Sequence, residues 1–105
     1  MKQQAQCFCI KVIPYSVKTE SHIISVTAPE PFSSGIECDD YEEEEKIECQ
    51  NAYKFLSTVL ADFLPSKLKM EEYSVMSGDN EGYFFSCSDA DSDDHYYLLL
   101  RYAAI

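Results

Sequence analysis

Residues 37–50 constrain this chain more than any other stretch. They read ECDDYEEEEKIECQ and run directly into the apolar segment NAYKFLSTVLADFL. Residues 37–48, the first acidic cluster, carry one basic side chain, Lys46, and eight carboxylates: Glu37, Asp39, Asp40, Glu42, Glu43, Glu44, Glu45 and Glu48. The stretch therefore has the character of a helix start and, equally, of a strongly negative surface.

Length and charge narrow the remaining options. A chain of 105 residues is sufficient for a hydrophobic core, so we predict a single globular domain over residues 1–105. A hydrophobic fraction of 46% is too high for a disordered acidic chain. The net charge of −11 opposes direct binding to nucleic acid or to an anionic membrane, and it favours a basic partner protein.

The N-terminus and the cysteines indicate the compartment. Lys11 interrupts the apolar residues near the N-terminus, which argues against a signal peptide, and no run approaches the roughly 18 apolar residues of a membrane span. We therefore predict a cytoplasmic protein. The five cysteines are expected to be reduced and to behave as small hydrophobic residues: Cys7, Cys9, Cys38, Cys49 and Cys87.

Two strands are predicted before the acidic cluster. Residues 6–13 alternate with a period of two, which indicates a strand that turns Phe8, Ile10 and Val12 inward. Residues 21–28 are rich in β-branched types and form a second strand, paired with the first as a hairpin.

A long helix follows. Either Asp39 or Asp40 can cap it, and Asp40 with Glu43 has the spacing of a capping box. Pro65 is expected to stop the helix near Leu64. One face carries apolar residues at helical spacing, namely Cys49, Ala52, Leu56, Val59, Leu60 and Phe63. When this apolar face is extended towards the N-terminus of the helix, its positions are occupied by acidic residues. The first turns of the helix are therefore expected to extend beyond the core.

Three further strands complete the predicted fold, at residues 68–76, 83–88 and 95–103. The last has apolar residues on both faces, which is typical of a central strand. The fold class is therefore α+β: an antiparallel sheet of about five strands, in the chain order β-β-α-β-β-β, with one long helix packed on one face.

Residues 79–94 form a second acidic cluster with no basic residue: Asp79, Glu81, Asp89, Asp91, Asp93 and Asp94. One or two acids in a first helical turn are each favourable by about 0.3–1 kcal/mol, whereas four consecutive glutamates repel one another. Two interpretations stay open, since the clusters can be solvated surface or can face a basic partner.

Motifs for metal binding or catalysis are weak. The D-x-D-x-D pattern beginning at Asp89 lacks the Gly and Glu that an EF-hand loop requires at its sixth and twelfth positions, where Asp94 and Leu100 stand. Cys7-x-Cys9 does not have the spacing of a zinc site. The chain has two histidines and lacks a nucleophile elbow and a phosphate-binding loop, so we predict no enzyme activity, no cofactor and no metal.

In size, acidity and lack of a catalytic motif, the chain resembles small phage-encoded anti-defence proteins, such as anti-CRISPR and anti-restriction inhibitors. This resemblance is one of protein class. It rests on the acidic character of residues 37–45 and of the DADSDD turn, and it covers about a third of the chain. It implies an inhibitor that binds an RNA-guided nuclease or a similar enzyme and blocks DNA or guide RNA binding or nuclease action. The predicted partner-binding site comprises Tyr41 and the fourteen carboxylates of the two clusters, because carboxylates can occupy phosphate sites and an aromatic ring can anchor the contact.

Two alternatives remain. The protein can be a small intracellular α+β interaction or ligand-binding module whose acidity serves solubility, with the sheet face or the helix–sheet seam as its binding site. It can also respond to a metal through Asp89, Asp91 and Asp93. A single surface formed by both acidic clusters would favour the inhibitor hypothesis, and clusters at opposite ends would favour solvated surface.

Overall fold

The five strands form one antiparallel sheet with a single long helix on one face, which confirms the predicted α+β fold. The computed structural model describes residues 3–29, 31–33, 35–78 and 81–102. The elements are β1 (Gln3–Val12), β2 (Thr19–Ala28), α1 (Tyr41–Val59), a 3₁₀ helix (Ala61–Phe63), β3 (Leu68–Met76), β4 (Gly82–Asp89) and β5 (His95–Tyr102). The strand order across the sheet is β2-β1-β5-β4-β3.

The core lies between α1 and the sheet. The helix contributes Cys49, Ala52 and Leu56, which are completely buried, and Leu60 follows directly after it. The sheet contributes the inward side chains of its three central strands, namely Ala5, Cys7, Cys9, Tyr83, Phe85, Cys87, Tyr96, Leu98 and Leu100. Burial of each large apolar side chain stabilises the fold by about 1.5–3 kcal/mol, which makes this layer the main source of stability.

The predicted inward face of β1 is wrong. Cys7 and Cys9 are buried under the helix, whereas Ile10 is on the opposite face and 38% exposed. The register explains the outcome, because Cys7 pairs with Leu100 and Cys9 with Leu98, and directly paired residues share a face. The alternation identified two faces correctly, but the larger side chains of β1 lie on the face away from α1.

The central position predicted for the last strand is confirmed. β5 pairs with β1 on one side and with β4 on the other. Its inward residues Tyr96, Leu98 and Leu100 are buried, and its outward residues Tyr97 and Leu99 are half-buried.

The helix ends earlier than the sequence predicts. α1 stops at Val59, and Ala61–Phe63 form a 3₁₀ turn before Leu64 becomes extended. The extended backbone of Leu64 is expected, because the residue before a proline avoids the helical region. The tighter turn before it is a common ending for an α-helix. Neither helix of the described residues has both the length and the apolar character needed to cross a membrane.

Candidate functional site

The first acidic cluster lies over one end of the sheet. The Glu48 carboxylate accepts a short hydrogen bond from the hydroxyl of Tyr83, close to the first residue of β4. The first fully buried helix residue, Cys49, comes eight residues after Tyr41. At 1.5 Å per residue this spacing equals about 12 Å of helix, so the first two turns extend beyond the buried core, as predicted.

The second acidic cluster is divided between the two ends of the sheet. Glu81 lies at the same end as the first cluster, because its carbonyl oxygen accepts from the amide of Tyr102, the last residue of β5. Residues 89–94, hereafter the acidic turn, join the far end of β4 to the start of β5. The eight residues of β4 separate the two ends by about 26 Å, at 3.3 Å per residue. Asp79 lies outside the described residues.

The two clusters therefore do not form one surface, and by the criterion given above this outcome favours solvated surface over a joint partner-binding site for both clusters. The fold keeps the first cluster together with Glu81, and it places Asp89, Asp91, Asp93 and Asp94 at the opposite end of the sheet. Charge counting could not locate this division, because it depends on the direction in which β4 runs beneath the helix.

The local structure of the helix start satisfies its backbone. Asp40 is the N-cap, and its Oδ1 accepts from the amide of Glu42 at 3.0 Å, which selects Asp40 from the two candidates. Glu44 reaches back to the chain before the helix, where its Oε1 accepts from the Cys38 amide at 3.3 Å. The capping-box spacing had pointed to Glu43, and the reach-back bond is instead made one residue further along the helix.

The remaining carboxylates of the first cluster are directed towards solvent. Glu42 and Glu43 are exposed, Glu45 is half-buried, and Tyr41 is 75% exposed at the first helical position. In the described part of the chain, no carboxylate of residues 37–48 forms an ion pair with a lysine or arginine. The helix start is thus an acidic surface that has no ion-pair partner among the residues that the structure describes.

Glu48 is the member of the cluster that connects the helix to the sheet, through its hydrogen bond with Tyr83. Burial raises the pKa of Tyr83 well above its usual value, and the hydrogen bond to Glu48 raises it further. Burial likewise raises the pKa of Tyr102 to about 12, with added contributions from the charges of Glu81 and Glu48. Both phenols are therefore neutral at pH 7, and the Tyr83 hydroxyl is the donor to Glu48. Sequence reasoning missed this hydrogen bond. The position of Tyr83, near the start of a strand and two residues after Glu81, was a usable signal.

The acidic turn is compensated internally. Asp89 accepts two hydrogen bonds within the turn, one from the Asp91 amide at 2.9 Å and one from the Ser92 hydroxyl at 3.1 Å. Lys11 lies 3.3 Å from Asp94, and Lys67 lies 3.6 Å from Asp91. These carboxylates hold the turn in shape. Within the described ranges, no three side chains of His, Cys, Asp or Glu are placed to hold a metal ion.

An open depression lies at the helix–sheet seam, near the end of α1. It measures about 520 Å³ and is lined by Tyr53, Ser57, Ala61, Leu64, Pro65, Ser66 and Leu68. The lining includes two hydroxyl groups from the helix and no carboxylate, imidazole or thiol. Its floor is apolar, so it offers shape and little charge to a ligand.

Comparison with protein-family models, with curated proteins and with solved structures finds no match.

Proposed function

We propose that this protein is a non-enzymatic inhibitor that docks the first acidic cluster onto the basic nucleic-acid-binding surface of a partner enzyme, such as an RNA-guided nuclease. One observation carries the proposal: eight carboxylates are concentrated at the helix start, within residues 37–48, and none of them forms an ion pair with a lysine or arginine of the described residues. Asp40, Glu44 and Glu48 serve the fold through hydrogen bonds, whereas the other five carboxylates are accounted for by a basic partner surface of complementary charge.

The helical geometry suits a phosphate-binding surface. Side chains three or four positions apart on a helix have Cβ atoms about 5–6 Å apart, so Glu42 and Glu45 present neighbouring negative charges on one side. Arginine binds a carboxylate with the same two-pronged geometry that it uses for phosphate. Tyr41, 75% exposed beside these charges, supplies an aromatic anchor of the type enriched at interface centres.

The docking surface is smaller than the sequence alone suggested. It comprises the first cluster and Glu81, which lie at one end of the sheet, and it leaves out the acidic turn. Asp89, Asp91 and Asp94 are engaged by Lys11, Lys67 and the turn's own donors, which leaves Asp93 as the exposed carboxylate of the turn without such a contact in the described residues.

A matched pair of variants tests which acids bind. The helix-start variant is Glu42→Gln/Glu43→Gln/Glu44→Gln/Glu45→Gln. The control variant, Asp62→Asn/Glu72→Gln/Asp91→Asn/Asp93→Asn, removes four exposed carboxylates elsewhere, so both differ from the net charge of −11 by the same four units. We expect the helix-start variant to bind the partner about 10- to 100-fold more weakly and the control to bind within about threefold of wild type.

The partner is obtained by pull-down from bacterial lysate with the wild-type protein and with both variants as bait. The expected partner is a nucleic-acid-binding enzyme that is released by a competing oligonucleotide and by raised salt, because both act on charge contacts. A partner retained equally by both variants, or indifferent to oligonucleotide and salt, would contradict the proposed function.

A further inference from the structure

The face of the sheet opposite α1, hereafter the open face, carries a continuous apolar row. The register aligns Ile23 of β2 with Phe8 of β1, Phe8 with Leu99 of β5, and Leu99 with Phe84 of β4. The row thus crosses four neighbouring strands. Ile23 is 59% exposed, and no element of the described residues packs over this face.

A second pair of side chains widens the row. Ile10 pairs with Tyr97, one step along the strands, and the Tyr97 ring stacks on Phe84 with the ring centroids 5.8 Å apart. An antiparallel sheet with one solvated face normally alternates apolar and polar residues, with polar residues outward. The outward residues at the middle of this sheet are aromatic and branched aliphatic instead, so the open face has the apolar centre of an interface.

The rim of the open face is polar and close to neutral. The residues that flank the apolar row on the same strands and the same face include Gln6, Ser21, Ser25 and Ser86. Its carboxylates, Glu71 and Glu72 on the edge strand β3, are matched in number by the basic residues Lys69 and Arg101. In a chain of net charge −11, the open face is therefore unusual, because its acidic residues are balanced by basic ones.

We infer that the open face is the self-association surface of this protein and that its occupant is a second copy of the chain. Two chains of net charge −11 repel each other over most of their surface, so close contact between copies requires a neutral face. The open face meets this requirement. The inference is independent of the proposed function, because it uses none of the residues of the first acidic cluster.

The dimensions of the face are adequate for a dimer. Five strands at about 4.8 Å spacing and about eight residues at 3.3 Å give roughly 600 Å² per copy, or about 1,200 Å² in total. This is the lower limit for specific, stable interfaces, so we expect a dimer of moderate affinity. Two twisted sheets pack about 10 Å apart with their strands inclined by about 30°.

The layer order keeps the acidic surfaces apart in such a dimer. Each helix lies behind its own sheet, so the two helix layers are separated by about three interlayer distances of 10 Å. This separation exceeds the Debye length of about 8 Å at physiological salt, and repulsion between the two helix starts is screened. A two-fold axis that runs across the strands places the two acidic turns at opposite ends of the dimer.

Sedimentation equilibrium at about 1 to 100 µM tests the inference, since a dimer has twice the 12.0 kDa mass of the chain. We expect wild type to dimerise and Leu99→Thr, at the centre of the row, to weaken dimerisation about 30-fold or more. Ile23→Lys, at an exposed position that tolerates the change in the monomer, should act in the same direction. Val17→Lys is the matched control, because Val17 is fully exposed in the turn between β1 and β2, away from the open face.

Each outcome decides the matter. A wild-type dimer that Ile23→Lys dissociates and Val17→Lys preserves supports the inference, provided that circular dichroism shows both variants folded. A wild-type chain that stays monomeric at 100 µM overturns it and leaves the open face to a different partner. A dimer that is equally stable in all variants also overturns it, because the contact then uses another surface such as the free edge of β2.

Discussion

The acidic turn and the first acidic cluster are alike in composition and opposite in what the fold does with them. In the turn, Asp89 accepts two hydrogen bonds, and Lys11 and Lys67 lie within 4 Å of the neighbouring carboxylates. At the helix start, Asp40 and Glu44 serve the backbone and Glu48 binds Tyr83, while Glu42 and Glu43 are exposed. A carboxylate is therefore structural or free according to the donors around it, which net charge does not reveal.

The largest effect on stability is expected in the acidic turn. Asp89→Ala removes both hydrogen bonds that Asp89 accepts, at about 1 kcal/mol each, and should lower the free energy of unfolding by about 2 kcal/mol. For a chain of this size, the melting temperature should fall by roughly 10 °C. Asp93→Ala is the control, since Asp93 is exposed and its side chain accepts no hydrogen bond from the described residues. Equal losses from both substitutions would remove the structural role of Asp89.

Tyr83→Phe tests the role of Glu48, the carboxylate of the first cluster that is bound to the sheet. It leaves the half-buried Glu48 without its donor, and we expect a loss of about 1.5 kcal/mol in urea unfolding at pH 8. The pKa of Tyr83 is raised in the folded state, so the stabilisation is fully present below the ordinary tyrosine pKa of about 10 and is lost as pH rises above it. The difference between wild type and Tyr83→Phe should therefore shrink between pH 10 and 11.5.

The matched control for this substitution is Tyr15→Phe, because Tyr15 is 88% exposed in the turn between β1 and β2. It should change the free energy of unfolding at pH 8 by less than about 0.5 kcal/mol. If Tyr83→Phe is equally harmless, the bond to Tyr83 does not stabilise the fold and Glu48 belongs with the free carboxylates of the first cluster.

Asp40 separates capping from charge at the helix start. Asp40→Ala removes the N-cap bond to the Glu42 amide and should cost about 1 kcal/mol. Asp39→Ala removes an adjacent, equally exposed carboxylate and should cost less than about 0.5 kcal/mol. Denaturant unfolding of the two variants measures the difference. A larger loss from Asp39→Ala would show that the cap lies one residue earlier than the structure places it.

The sequence was sufficient for the order of the elements and insufficient for their placement. Apolar residues on both faces of residues 95–103 predicted a central strand, and the apolar spacing from Cys49 to Phe63 predicted the packed face of the helix. Alternation could not decide the inward face of β1, because the thiols of Cys7 and Cys9 fit beneath the helix while Phe8 and Ile10 remain on the open face. The site was only partly predictable for a related reason. The separation of residues 37–48 from residues 89–94 follows from strand direction, and the bond between Glu48 and Tyr83 joins residues 35 positions apart.

The reactivity of Cys38 reports the electrostatic potential at the helix start. Cys38 is half-buried beside Glu44, whereas Cys7, Cys9, Cys49 and Cys87 are buried, and burial raises their thiol pKa to about 11. These four thiols should react slowly near pH 8, since the thiolate is the reactive form, and Cys38 should be the fast one because a reagent can reach it. With a dianionic reagent, the helix-start variant should react about two- to fivefold faster than wild type, because fewer negative charges repel the reagent. The control variant should react as wild type does. The rate with the dianionic reagent is divided by the rate with a neutral alkylating reagent, so that any change in the thiol itself cancels and the repulsion of the reagent remains. Equal acceleration in both variants would mean that Cys38 senses net charge alone, and the contrast between the two acidic regions would then be limited to their hydrogen bonds.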